Sequence, residues 1–252
     1  MMRDLEGRVA WVTGAGTGIG EAGAAALADA GMTVVLSGRR RDKLDLVAKR
    51  IGPKAEVAVL DVADKAAVAA VAGDILGRHG RVDVLVSSAG INIRGRHWHE
   101  LSTDDWDQVI RVDLDGAFYC ARAVLPAMRE QGDGLIINVS SWAGNHVSMI
   151  TGPAYTAAKH AMNAMNETIN MEAGIDGVRA CAVCPGEVAT PILDNRPVPV
   201  SDADRARMVQ PDDCGEIIAF LARLPAHVCI NELTVSPTWN RGYVAQAQAL
   251  KG

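Results

Sequence analysis

The run Val9-Ala-Trp-Val-Thr-Gly-Ala-Gly-Thr-Gly-Ile-Gly20 decides the fold. Its first four residues are all apolar, as a strand buried on both faces requires. Glycines follow at 14, 16, 18 and 20, and then comes Glu21-Ala-Gly-Ala-Ala-Ala-Leu-Ala-Asp-Ala30, an alanine-rich helix former stopped by Gly31. The glycines therefore occupy a strand-to-helix turn. There Gly14 lets the backbone reverse, and missing side chains let the main chain approach a pyrophosphate. The helix N-terminus offers that anion free N–H groups and a partial positive charge. The spacing is Gly14-x-x-x-Gly18-x-Gly20, with Gly16 inside it, rather than the commoner Gly-x-Gly-x-x-Gly.

Working outward, apolar runs at 9–12, 33–36, 57–60, 84–86, 135–139, 178–183 and 233–235 read as strands. Stretches at 21–30, 42–51, 65–78, 103–129, 154–173 and 212–224 read as helices. Continuous apolar strands alternating with helices predict an α/β fold: a single doubly wound, parallel-sheet, Rossmann-type domain over residues 1–252, with ligand at the carboxyl ends of the strands. No linker, repeat or low-complexity tract divides the 252 residues, and 49% apolar with 22% charged residues suits a large buried core.

A net charge of −5, with no basic stripe beyond Arg39-Arg40-Arg41, argues against nucleic acid as a partner. Charges at Arg3, Asp4, Glu6 and Arg8 stand where a secretory leader would be apolar, and no uncharged stretch reaches the roughly 18 residues of a membrane span. A cytoplasmic protein with no membrane partner is expected. Of the five cysteines, Cys120, Cys181, Cys184, Cys214 and Cys229, several lie in apolar runs, and the pair Cys181-x-x-Cys184 reads as free core thiols. No second pair completes Cys181-x-x-Cys184, so no metal is expected.

The chemistry is carried by Tyr155-Thr-Ala-Ala-Lys159. Spacing i,i+4 places phenol and ammonium on one helix face, where the cation favours phenolate and brings proton exchange toward neutral pH. An isolated pair of this kind is commonly a solvated face. Ser141 upstream and the glycine run change that reading to a redox site beside a dinucleotide.

Together these motifs resemble the short-chain dehydrogenase/reductase family, from about residue 5 to residue 238. The resemblance implies a catalytic set of Ser141, Tyr155 and Lys159. Asp113, in Val112-Asp-Leu-Asp-Gly116, stands where the family usually has an Asn on the proton path. An ionised Asp accepts and cannot donate, which leaves the relay role and a plain structural role both open. In the nucleotide loop the resemblance implies cofactor contacts from Gly14, Gly16, Thr17, Gly18, Ile19 and Gly20.

After the second strand, Gly38 and Arg39 stand where an Asp or Glu would bind the ribose hydroxyls of NAD. The arginine suits a 2′-phosphate and favours NADP(H), with NAD as the alternative; a solvated basic turn is the competing reading. Thr17 occupies the place where NADP-preferring relatives often carry a second basic residue. Asp61 and Val62 resemble the adenine-binding pair, although Asp61 would also serve as a helix cap. Ser87-Ser88-Ala89-Gly90 matches the family's Asn-Asn-Ala-Gly element, with Ser88, Ala89 and Gly90 beside the ribose. Pro185, Gly186, Val188 and Thr190 match the element that holds the nicotinamide carboxamide.

The implied reaction interconverts a secondary alcohol and a ketone or aldehyde by hydride transfer. Tyr155 exchanges the proton, Ser141 orients the oxygen, and Lys159 holds the ribose and lowers the phenol pKa. Trp142, His146 and Arg94 are the expected substrate contacts, with Asn92, Arg96, His97, Asn145, Met149 and Ile150 bordering them. The C-terminal run 224–238 resembles a subgroup that includes NADP-dependent dehydrogenases of 3-hydroxy acids and serine, for which Arg94 or Arg96 would meet a carboxylate. The short stretch 191–200, with three prolines, suggests a short lid and a small or partly open site. A non-catalytic NADP-binding protein, or a lyase or epimerase that recycles its cofactor, is the alternative on this fold. Apolar residues on more than one face of 154–173 predict a homo-oligomer, a tetramer by resemblance.

Overall fold

The computed structural model describes residues 2–250. Seven parallel strands form one sheet in the order β3-β2-β1-β4-β5-β6-β7. They are β1 Val9–Thr13, β2 Thr33–Gly38, β3 Ala55–Val59, β4 Val84–Ser87, β5 Gly134–Val139, β6 Val178–Pro185 and β7 Glu232–Val235. The winding reverses between β1 and β4, so the connections leaving these two strands diverge and open a crevice at their carboxyl ends. Thr13 is in register with Ser37 on one side and Ser87 on the other, which brings the ends of β1, β2 and β4 level.

The period of two along β1 supplies both faces of the sheet. Ala10 and Val12 face a core shared with α1 (Gly18–Asp29), α2 (Arg41–Ile51) and α8 (Pro211–Arg223), through Leu27, Leu44 and Ile218. Val9 and Trp11 face the opposite core, shared with α3 (Lys65–His79), α5 (Gly116–Gln131) and α6 (Pro153–Ala173), through Ile75, Val124 and Ile169. Each such fully buried aliphatic side chain contributes roughly 1.5–3 kcal/mol. Two filled cores fix the helices, and thereby the loops at the strand ends.

The amino ends of the strands are tied by charge. Arg8 bridges Asp83 at 3.0 Å and Asp133 at 2.9 Å, Arg3 pairs with Asp133, and Arg81 donates to Asp83, which also accepts the Val9 N–H at 2.9 Å.

One expected helix is interrupted. The stretch 103–129 forms α4 (Thr103–Ile110) and α5, joined by a π-helical turn at Arg111–Asp115. That wider turn inserts a residue into the helical repeat, and Asp113, completely buried, lies within it. Two helices lie outside the sequence expectation, α7 (Asp202–Arg205) and α9 (Arg241–Ala249). Neither contains a buried residue, so neither has an apolar stripe in the sequence. Four cysteines are buried, and burial pushes Cys120, Cys181 and Cys214 up to about 12. Cys229 is exposed, in the loop before the edge strand β7. Among the described residues no helix is long and apolar enough to cross a membrane, and no cluster of metal-ligating side chains forms.

Candidate active site

The nucleotide loop is built by close backbone approach. Gly14 has φ +66°, and a Cβ there would sit 2.6 Å from the Ser88 carbonyl oxygen. At Gly20 a Cβ would lie 2.5 Å from the Gly14 carbonyl oxygen. Thr17 precedes α1 in an extended conformation, and no side chain caps the helix. The first N–H groups of α1 therefore face the crevice free of a side-chain acceptor, as a pyrophosphate site requires. Thr13, which the sequence reading passed over, closes the switch point. Its hydroxyl accepts from the Ser88 and Ala89 N–H groups at 3.2 and 3.3 Å and donates to Val86 at 3.4 Å. Gly16, Gly18 and Ile19 lie on the same turn, and Gly18 is 3.1 Å, as a virtual Cβ, from the Thr190 methyl. Thr190 is thereby brought from beyond β6 to the loop, although β6, which ends at Pro185, lies three positions from β1 in the sheet.

Arg39 is exposed and lines a cavity of about 360 Å³ with Asp61, Arg111 and Val112. Arg41 pairs with Asp45 at 3.5 Å within α2. Asp61 does not cap α3. Asp64 takes that role, accepting from the Ala66 and Ala67 N–H groups at 2.9 and 3.1 Å. Val62 is buried against Gly116 at the start of α5.

At the carboxyl end of β5, Ser140 and Ser141 diverge. Ser140 is buried, and its hydroxyl donates to the Lys159 carbonyl at 3.4 Å. Ser141 caps a short 3₁₀ turn, accepting from the Ala143 N–H at 3.1 Å, and its hydroxyl lies toward the Tyr155 phenol, where it favours the ionised form. Lys159 is buried; it donates to the Val139 carbonyl at 3.1 Å and lies 5.4 Å from the Tyr155 ring centroid. It also forms an ion pair with Asp113 at 3.7 Å. The three groups expected to act together are together.

The proton affinities differ from expectation. Burial pushes the Tyr155 phenol above its ordinary value; Lys159 opposes this, Asp113 adds to it, and Ser141 and Arg96 offset only part. The expected lowering by Lys159 is outweighed because the pocket strips water from the phenolate, and Asp113 works against the ammonium. Asp113 itself is raised to about 6, burial outweighing Lys159 and the Ile91 N–H.

Around this centre, Trp142 packs against His146 at 5.3 Å and against Tyr243 of α9 at 5.8 Å. His146 is exposed. Arg94 is also exposed and lines a cavity of about 260 Å³ with Leu193, Asp194, Arg196 and Arg205, a cavity that includes neither Ser141 nor Tyr155. The arginine turned inward is Arg96. It is 4% exposed, donates to the Ile150 carbonyl at 3.3 Å and to the Asn195 carbonyl, and keeps its Nε without a partner. Only burial distinguishes Arg96 from Arg94, and the local sequence carries no sign of it. The lid from Pro191 onward folds as a 3₁₀ turn (Pro191–Asn195) followed by α7, and Glu187 anchors it by accepting from Arg196 at 2.7 Å and from Arg241 at 2.8 Å.

Residues 8–198 match the family model described as short chain dehydrogenase. An uncharacterized oxidoreductase of Staphylococcus haemolyticus is 32% identical over 237 residues, covering 94% of this chain and 100% of the relative. A metagenomic short-chain oxidoreductase solved in complex with NADP is 36% identical, with a TM-score of 0.81 over 94% of this chain and 100% of that one. The closed form of serine dehydrogenase complexed with NADP⁺ is 29% identical, with a TM-score of 0.84 over 92% of this chain and 96% of that one.

Proposed function

Because the chain belongs to the short-chain dehydrogenase family of oxidoreductases acting on CH–OH groups, we propose that it interconverts a secondary alcohol and a ketone or aldehyde with NADP(H), and that the substrate class includes hydroxy acids. The observation that carries this reading is Tyr155, Ser141 and Lys159 assembled at the crevice edge, with the glycine loop beside them. When bound, the nicotinamide supplies or accepts the hydride. The rest falls to the chain's own side chains. Tyr155 gives a proton to the carbonyl oxygen or takes one from the alcohol, Ser141 donates a hydrogen bond to that oxygen and fixes its place, and Lys159 holds the ribose and favours phenolate.

Gly14, Gly16, Thr17, Gly18, Ile19 and Gly20 would cradle the pyrophosphate, Asp61 and Val62 the adenine, and Ser88, Ala89 and Gly90 the ribose. Pro185, Gly186, Val188 and Thr190 would hold the carboxamide. NADP over NAD is supported by Arg39 at the adenosine cavity, with Arg111 as a second cation lining it, and by the NADP-complexed structures of related proteins. A carboxylate-bearing substrate is supported by Arg96, which is buried near Tyr155 and, among the described residues, has no acidic partner and an Nε with no hydrogen-bond partner. Trp142 and His146 would border the substrate. The chain is proposed to act as one domain and to assemble into a homotetramer.

The test is NADPH consumption across aldehydes, ketones and 3-oxo acids. Turnover of a 3-oxo acid that Arg96→Ala impairs chiefly through KM supports the reading. Absence of turnover on every carbonyl, with cofactor bound, would return the chain to a non-catalytic or cofactor-recycling role.

A further inference from the structure

Asp113 is a carboxylate in a place that costs it hydration. It is fully buried, and Oδ1 accepts the Ile91 N–H at 2.8 Å. Oδ2 has no hydrogen-bond partner and lies 3.7 Å from Lys159 Nζ, the only cation paired with it among the described residues. The space beside Gly90 opens onto the same oxygen, with a virtual Cβ at 3.4 Å from Oδ2 and 3.7 Å from Lys159 Nζ. A neutral amide would keep the Ile91 hydrogen bond through its own oxygen. What the carboxylate adds is a full negative charge behind the ammonium that faces Tyr155.

We propose that Asp113 is a positioning residue that acts through Lys159 to keep Tyr155 in its protonated, proton-donating form above neutral pH, so that the site is tuned to deliver a proton to a carbonyl rather than to remove one from an alcohol. This rests on Tyr155 being the group that exchanges the substrate proton. An ammonium alone stabilises phenolate; an ammonium already balanced by a buried carboxylate does so far less. The charged groups facing the phenol are Lys159 from α6, Asp113 from the π turn and Arg96 from the segment after β4, with Ser141 as the neutral partner. Of these, Asp113 alone is an acid. It is ionised above about pH 6, so the balancing charge is present where the phenol would otherwise start to dissociate.

The experiment titrates Tyr155 directly, by the ultraviolet absorbance of tyrosinate in the cofactor-free protein. The chain has three tyrosines, and subtracting the Tyr155→Phe curve leaves the Tyr155 signal. In Asp113→Asn, which preserves shape and the Ile91 contact, the curve is expected to move down by about one pH unit, the effect of one nearby charge in a partly dehydrated site. With it, the alkaline fall of kcat/KM for carbonyl reduction moves down by the same amount. Coincident curves for wild type and Asp113→Asn would overturn the proposal and leave Asp113 as a holder of the Ile91 backbone. If Asp113→Asn folds poorly, Asp113→Ser gives the same charge deletion with a smaller side chain. The titration needs no turnover, so a failure of Tyr155 as the catalytic acid, seen as activity retained in Tyr155→Phe, is a separate result.

Discussion

Tyr155 and Phe differ by one hydroxyl, and in this pocket that hydroxyl is the group whose proton affinity Lys159, Asp113 and Ser141 act on. Tyr155→Phe should therefore keep the ring packed over Lys159 and retain cofactor affinity while losing nearly all turnover. Lys159→Ala should weaken both, and near wild-type rates in the Phe variant would reduce Tyr155 to packing. Asp113 gives a second residue-level expectation, with a sign opposite to that of a paired surface carboxylate. Its folded value of about 6 lies above its unfolded value of about 4, so folding favours the protonated form. Below about pH 4 the group costs nothing. As pH rises from about 4 through about 6 the cost grows, then levels off near 3 kcal/mol, a rough figure. Denaturant titrations of wild type and Asp113→Asn should thus diverge across that window in favour of the variant. A difference independent of pH would mean that the carboxyl is well solvated.

The turn after β2 carries the proposed cofactor preference. Arg39 lines the cavity beside Asp61 while Arg41 pairs with Asp45 within α2, so one turn places two arginines in different surroundings. Arg39→Ala should remove most of the preference for NADPH over NADH, by about ten- to a hundredfold in affinity for a charge-assisted contact of roughly 1.5–3 kcal/mol. Equal wild-type affinities in a binding titration would rule this out. The elements themselves were legible because buried parallel strands are apolar end to end, as in 9–12 and 84–86, and because Gly31 stops α1. The glycine loop and the Tyr155–Lys159 pair were legible because their spacing is their function. Four things had no local signal. The π turn at Arg111–Asp115 depends on the packing of α4 and α5 rather than on propensity. Thr13 acts through partners 75 and 76 residues away. The choice between Arg94 and Arg96 is made by where the segment after β4 meets the lid, and α9 contacts the site through Tyr243 without an apolar stripe of its own.

For the molecule as a whole, α6 buries Ala158, Met162 and Ile169 against the sheet, yet leaves Ala157, Ala164 and Met171 exposed on its outer face, and α5 exposes Phe118. A helix that needed only its own sheet would be polar there. A second copy covering this surface would brace α6 from behind, and sedimentation at micromolar concentration should show a dimer or tetramer; a single species at the 26.6 kDa chain mass would refute the assembly. The parallel sheet has one more consequence. Every strand ends at the edge where Ser141, Tyr155 and Lys159 gather, and every strand begins at the edge where Arg3, Arg8 and Arg81 grip Asp83 and Asp133. Durability and chemistry are thus written at opposite poles of the same strands. Substitutions can accumulate around the lid and mouth, retuning what the protein accepts, without loosening the clasp that keeps it whole, and a lineage could exchange its substrate many times over on an unaltered chassis.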